Sequence, residues 1–106
     1  MKAKPYKLIG DSYHPCEASE ATHVELHTPG PFTRRIMPVI LKGSRHGTNC
    51  WSWNGDTERP TLKPSILTWT DDHRCHTWIN DGQVIFLPDC SHEFAGKTMD
   101  LLEVDP

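Results

Sequence analysis

The chain has 106 residues, 36% of them apolar, with 11 Lys and Arg against 14 Asp and Glu, a net charge of −3 with its 7 histidines neutral. A chain of this length suits one domain of roughly 100–150 residues, and the longest apolar run, residues 36–41 with Pro38 inside it, is far short of the ~20 residues that span a bilayer. Lys2 and Lys4 have no apolar stretch behind them, so a secretory leader is not expected. The basic residues are scattered apart from Arg34-Arg35, which argues against nucleic acid as a partner. A cytoplasmic protein is expected. There Cys16, Cys50, Cys75 and Cys90 would be thiols, metal ligands or packing groups.

In chain order, residues 17–22 carry a weak helical signal, 24–27 alternate, and 36–41 are apolar and β-branched. Asn54-Gly55 marks a turn after Trp51-Ser52-Trp53, and Pro60 and Pro64 make 56–64 read as loop, like 44–49. Short strand-like runs follow at 66–70, 75–80, 83–87 and 98–104. A second helical turn at 91–95 would be capped by Ser91 and ended by Gly96. The fold class is mainly β: a small single-domain antiparallel sheet or partly open barrel with one or two short helices. Residues 1–49 would supply variable N-terminal strands and loops, and 50–98 a motif-bearing meander. The four tryptophans, 51, 53, 69 and 78, are expected to fill the core.

Asp81-Gly82 is the signature of a two-residue hairpin with positive φ at both positions. It sets a register in which Asn80 faces Gln83, Trp78 faces Ile85 and His76 faces Leu87, while Ile79, Thr77 and Cys75 meet Val84, Phe86 and Pro88 on the other side. A loop at 71–74 would add a third strand, with Thr70 opposite Cys75 and Trp69 opposite His76.

The hairpin gathers His73, Cys75, His76, Asp89, Cys90 and His92 at one end of the sheet. Two chemistries fit. Zn²⁺ takes Cys and His ligands, and Cys75, His76, Cys90 and His92 supply two of each. Neighbours on a strand point to opposite faces, so three of the four are easier to bring together than all. Such an ion could be structural or could serve hydrolysis, with Asp89 or Glu93 as base. The other chemistry needs a Ser or Cys, a His beside it and a group that orients the His. Ser65 or Cys90 would be the nucleophile, His76 or His92 the base, and Asp89 or the other His the orienter. The simple meander keeps Ser65 four residues along the ladder from His76, roughly 13 Å at ~3.3 Å per residue. His14, His23, His27 and His46 show no partner and read as surface or packing residues.

Trp51-Ser52-Trp53-Asn54-Gly55-Asp56, Arg59-Pro60-Thr61-Leu62-Lys63-Pro64-Ser65-Ile66, Cys75-His76, Asp81-Gly82, Phe86-Leu87 and the run from Asp89 to Thr98 together resemble the BubE-like family. These are small phage and bacterial domains, also found in bacterial ubiquitin-like (Bub) conjugation operons. The resemblance implies a serine peptidase without a cofactor that processes or deconjugates a ubiquitin-like protein. On matching positions it implies Ser65 as nucleophile, His76 as base and His92 or Asp89 as third member. The tail of that partner would add as an extended strand along a sheet edge. A zinc-binding domain and a non-catalytic adaptor with a tryptophan-lined groove are the alternatives. Both leading accounts require the rings of His76 and His92 to converge.

Overall fold

A computed structural model describes residues 1–30, 33–41 and 50–105. These form one nine-stranded sheet: β1 (Ala3–Ile9), β2 (Ser12–Pro15), β3 (His23–His27), β4 (Arg34–Leu41), β5 (Trp51–Trp53), β6 (Leu62–Trp69), β7 (Arg74–Asn80), β8 (Gln83–Phe86) and β9 (Thr98–Asp100). The strand order is β2-β1-β3-β4-β5-β6-β7-β8-β9. The mainly β expectation holds, with a correction: β4 and β5 run parallel, so the sheet is mixed, and it does not close into a barrel. It does curl enough for His27 to bridge Leu102 and for the Val104 N–H to donate to the Met1 carbonyl.

Alternation along the strands places Val24, Leu26, Met37, Val39, Trp53, Leu62, Ile66, Ile79, Val84, Phe86 and Leu101 in one core. Of the helical signals only a 3₁₀ turn at Ala18–Glu20 appears. Residues 91–95 form turns, because the Ser91 hydroxyl that was expected to cap a helix instead accepts the Arg74 N–H at 2.7 Å. Residues 62–64, read as loop, belong to β6, while 44–49 lies outside the described residues. Among the described residues no helix is long and apolar enough to cross a membrane.

The Asp81-Gly82 hairpin has the register its sequence implies: Asn80 pairs with Gln83, Ile79 with Val84, Trp78 with Ile85 and Thr77 with Phe86. Both turn residues have positive φ, 50° and 78°. A methyl at Gly82 would also sit 3.2 Å from the Glu58 carbonyl oxygen. Gly82→Ala is therefore expected to destabilise the fold by about 1–2 kcal/mol, read as a lower urea midpoint with an unchanged m-value.

On β3, the buried Glu25 carboxylate accepts from the Tyr6 hydroxyl at 2.9 Å, from His27 Nε2 at 2.6 Å and from Arg34 Nε at 3.0 Å. His27 thus has a partner that the sequence did not reveal. Burial disfavours the carboxylate, but the three donors outweigh it and lower its pKa from 4.5 to about 2. A depressed folded-state pKa means the stabilisation is complete above the unfolded value and is lost as pH falls toward 2. At about 1.4 kcal/mol per unit, roughly 3 kcal/mol is at stake. Wild type is expected to lose stability between about pH 4.5 and 2, and Glu25→Gln should flatten that part of the curve.

Candidate active site

Ser65 lies on β6 and His76 on β7, and the β6–β7 register decides whether they meet. Leu67 pairs with His76, Ile66 with Thr77 and Trp69 with Arg74, but Leu62 pairs with Ile79. The connecting loop is therefore Thr70 to His73, one position earlier than a 71–74 loop, which moves the ladder by two residues. Ser65 then lies two residues from the His76 partner instead of four, and the ~13 Å separation drops to roughly 7 Å. Two residues keep face parity, so both side chains point outward. The Ser65 Oγ is 2.9 Å from His76 Nε2. The Ser65 carbonyl, in turn, accepts the Trp51 Nε1–H at 3.3 Å.

Asp89 follows from the hairpin. With His76 opposite Leu87, residue 89 shares that face one step beyond, across from Arg74. The ladder does continue past β8, the Leu87 N–H donating to the His76 carbonyl at 2.9 Å, and the Ser91 N–H ties back to the Arg74 carbonyl. Asp89 Oδ2 is 3.1 Å from His76 Nδ1, with Oδ1 at 3.3 Å. Arg74 holds the carboxylate from the other side, Nε and one terminal nitrogen both 3.1 Å from Oδ2. Desolvation opposes ionisation of Asp89, yet the hydrogen bonds from His76 and Arg74 prevail and lower its pKa below the ordinary aspartate value. An ionised carboxylate only accepts. It therefore fixes the ring proton on Nδ1 and leaves the Nε2 lone pair to accept the Ser65 hydroxyl proton.

His92 is not part of this chain of bonds. Its ring stands edge-on to Phe86 at 5.1 Å and to Phe94 at 5.9 Å on the inner side of the sheet. The convergence of His76 and His92 is thus corrected: the sheet separates them into two groups. One ligand atom each from Cys75, Cys90 and His92 lie within 4.8 Å of one another, three of the four residues named for zinc, while His76 points the other way as strand alternation requires. Cys75 and Cys90 are buried. Arg35, buried on β4, donates to the Cys75 Sγ at 3.2 Å and to the Thr77 Oγ1 at 3.3 Å. Burial raises the Cys75 thiol pKa, against the pull of Arg35. Cys90 Sγ accepts the His76 N–H and faces the His76 carbonyl, both at 3.2 Å, so it bonds the backbone of His76 rather than its ring.

Around Ser65 the outward face is apolar and open. Of the four tryptophans only Trp53 is buried; Trp69 is 68% and Trp78 37% exposed, beside Leu67 at 45%. They share the parity of Ser65 and His76, the face that no second layer covers among the described residues. A shallow cleft of about 230 Å³ lies further along the same strands, bordered by Lys63, Trp78, Asn80 and Ile85. His14 is on the exposed β2, His23 packs edge-on to Tyr13 and meets the Thr22 hydroxyl at 2.9 Å, and His46 lies outside the described residues. Arg74, Ser91, Trp51 and Arg35 were not anticipated. The first was within reach, since the Asp81-Gly82 register carried three pairs past Thr77–Phe86 sets Arg74 opposite Asp89.

Residues 15–87 match the family described as bacterial ubiquitination-like system serine protease (BubE). No curated protein and no solved structure matches the chain.

Proposed function

The chain belongs to the BubE family of bacterial ubiquitination-like system serine proteases, and from that premise we propose that it hydrolyses an amide bond at the C-terminal tail of a ubiquitin-like protein, with Ser65 as nucleophile, His76 as general base and Asp89 as the orienting carboxylate. The observation that carries this reading is the unbroken relay Ser65 Oγ, His76 Nε2, His76 Nδ1, Asp89 Oδ2, with separations of 2.9 and 3.1 Å. Ser65 Oγ adds to the carbonyl carbon as its proton passes to Nε2, and the imidazolium gives that proton to the leaving amine. Water then repeats the steps on the acyl-enzyme. Asp89 stabilises the imidazolium throughout, and Arg74 keeps the carboxylate in place. The Ser65 backbone N–H, in the stretch of β6 whose register against β7 shifts between Leu62 and Ile66, would serve as a donor to the oxyanion.

The substrate tail reaches Ser65 across a sheet face, because β6 is an inner strand of the order. Leu67, Trp69 and Trp78 offer apolar contact to an extended chain there. The four cysteines, none of them in a disulfide, suit a reducing cytoplasm.

The test is a fusion of a ubiquitin-like protein to a C-terminal reporter. Wild type should release the reporter with one new C-terminus at the end of the ubiquitin-like tail. Hydrolysis of a simple ester without cleavage of any such fusion would keep the serine chemistry and reject the substrate.

A further inference from the structure

We propose that Cys75, Cys90 and His92 form a binding site for a thiophilic divalent cation, with Zn²⁺ the natural occupant, on the inner side of the sheet behind the Ser65–His76–Asp89 group. Three donors of the type Zn²⁺ prefers lie within 4.8 Å of one another, and contraction by about 1 Å brings two sulfurs and a nitrogen to the ~2.0–2.3 Å bond lengths of a tetrahedral ion. The two thiols are 1% and 8% exposed. His92 Nε2 is buried and has no hydrogen-bond partner, which is costly unless something binds it. Coordination through Nε2 puts the ring proton on Nδ1, so the Phe94 N–H contact to Nδ1, already long at 3.3 Å, has to open. Arg35, donating to the Cys75 sulfur, is an outer partner that favours the thiolate. The charge balances: Zn²⁺ displaces one proton from each of two thiols, and two thiolates with a neutral imidazole leave the bound group uncharged. The fourth position of the ion goes to water.

The placement gives such an ion a purpose. Cys75 immediately precedes His76 and Cys90 immediately follows Asp89, so one cation would join the two backbone positions from which the outward-facing pair departs. It takes the place of a helix or disulfide in holding the 87–92 turn against β7.

The test does not depend on peptidase activity. The full chain, stripped with chelator and reduced, is titrated with Co²⁺ as a spectroscopic stand-in and then with Zn²⁺. One equivalent of Co²⁺ should give a thiolate-to-metal charge-transfer band and tetrahedral ligand-field bands, and Zn²⁺ should displace it and raise the melting temperature. Cys90→Ser and His92→Gln should each lose the bands. Ser65→Ala and the double variant Cys16→Ser, Cys50→Ser should keep them, which separates this site from the proposed hydrolysis. No thiolate band from wild type with all four cysteines counted as free thiols would overturn the proposal. So would a Cys75–Cys90 disulfide in protein purified without reductant, or bands that vanish only with Cys16 and Cys50.

Discussion

Ser65→Ala is expected to lower kcat by about 10⁴ to 10⁶-fold against a cleavable fusion or a simple ester, with little change in KM. Removing one member of a serine triad costs nearly as much as removing the whole, since the members act as a unit. What survives is the contribution of binding and oxyanion donors. The variant loses one hydroxyl, which bonds His76 Nε2, while the carbonyl that accepts from Trp51 is backbone and stays in place. Its unfolding midpoint should therefore stay close to wild type, so lost activity can be read as lost chemistry. Activity within about tenfold of wild type would remove Ser65 from the mechanism and return attention to Cys90 or to a metal-bound water.

Asp89→Asn should cost about 10⁴-fold in kcat while keeping the fold, because the side chain is 43% exposed and outside the core. The amide would offer its NH₂ to His76 Nδ1, which favours the tautomer with the proton on Nε2. Nε2–H would then donate to Ser65 Oγ across the 2.9 Å gap, with the hydroxyl proton turned away, and the base would have no lone pair for the nucleophile. The loss should fall in kcat rather than KM, and should lessen at high pH, where hydroxide assists attack. An Asp89→Asn enzyme with wild-type kcat would show that the contact orients nothing of consequence.

Most of this site could be read from one turn. Asp81-Gly82 specifies its hairpin locally, and counting outward from it places His76, Leu87 and Asp89 on one face and Cys75 on the other. That arithmetic already favoured Asp89 over His92 as the orienting group, although the sequence reading left both open. What could not be counted was β6. Its loop is closed by Thr70, whose Oγ1 accepts the His73 N–H at 3.2 Å and whose N–H donates to the His73 carbonyl, so the turn begins one residue earlier than the polar run 71–74 suggests. Pro64, which reads as a strand breaker, sits within the stretch where the β6 register shifts and the ladder needs no donor. Hydrophobicity also misassigned Trp69 and Trp78, since an apolar residue on the reactive face resembles a core residue in composition. The N-terminal strands β1 and β2 escaped notice because Lys4, Pro5 and Lys7 interrupt the alternation and β2 is exposed along its length. The separation of His76 from His92 follows from the same strand parity, which turned one imagined cluster into two.

A fluorophosphonate reacts with a serine only where a base has activated it, and it needs no knowledge of the physiological partner. Mass spectrometry of the treated wild-type chain should find one adduct per molecule on the peptide containing Ser65, greatly slowed in His76→Ala. An intact chain without adduct under conditions that label a control serine hydrolase, or an adduct on a different residue, would contradict the account.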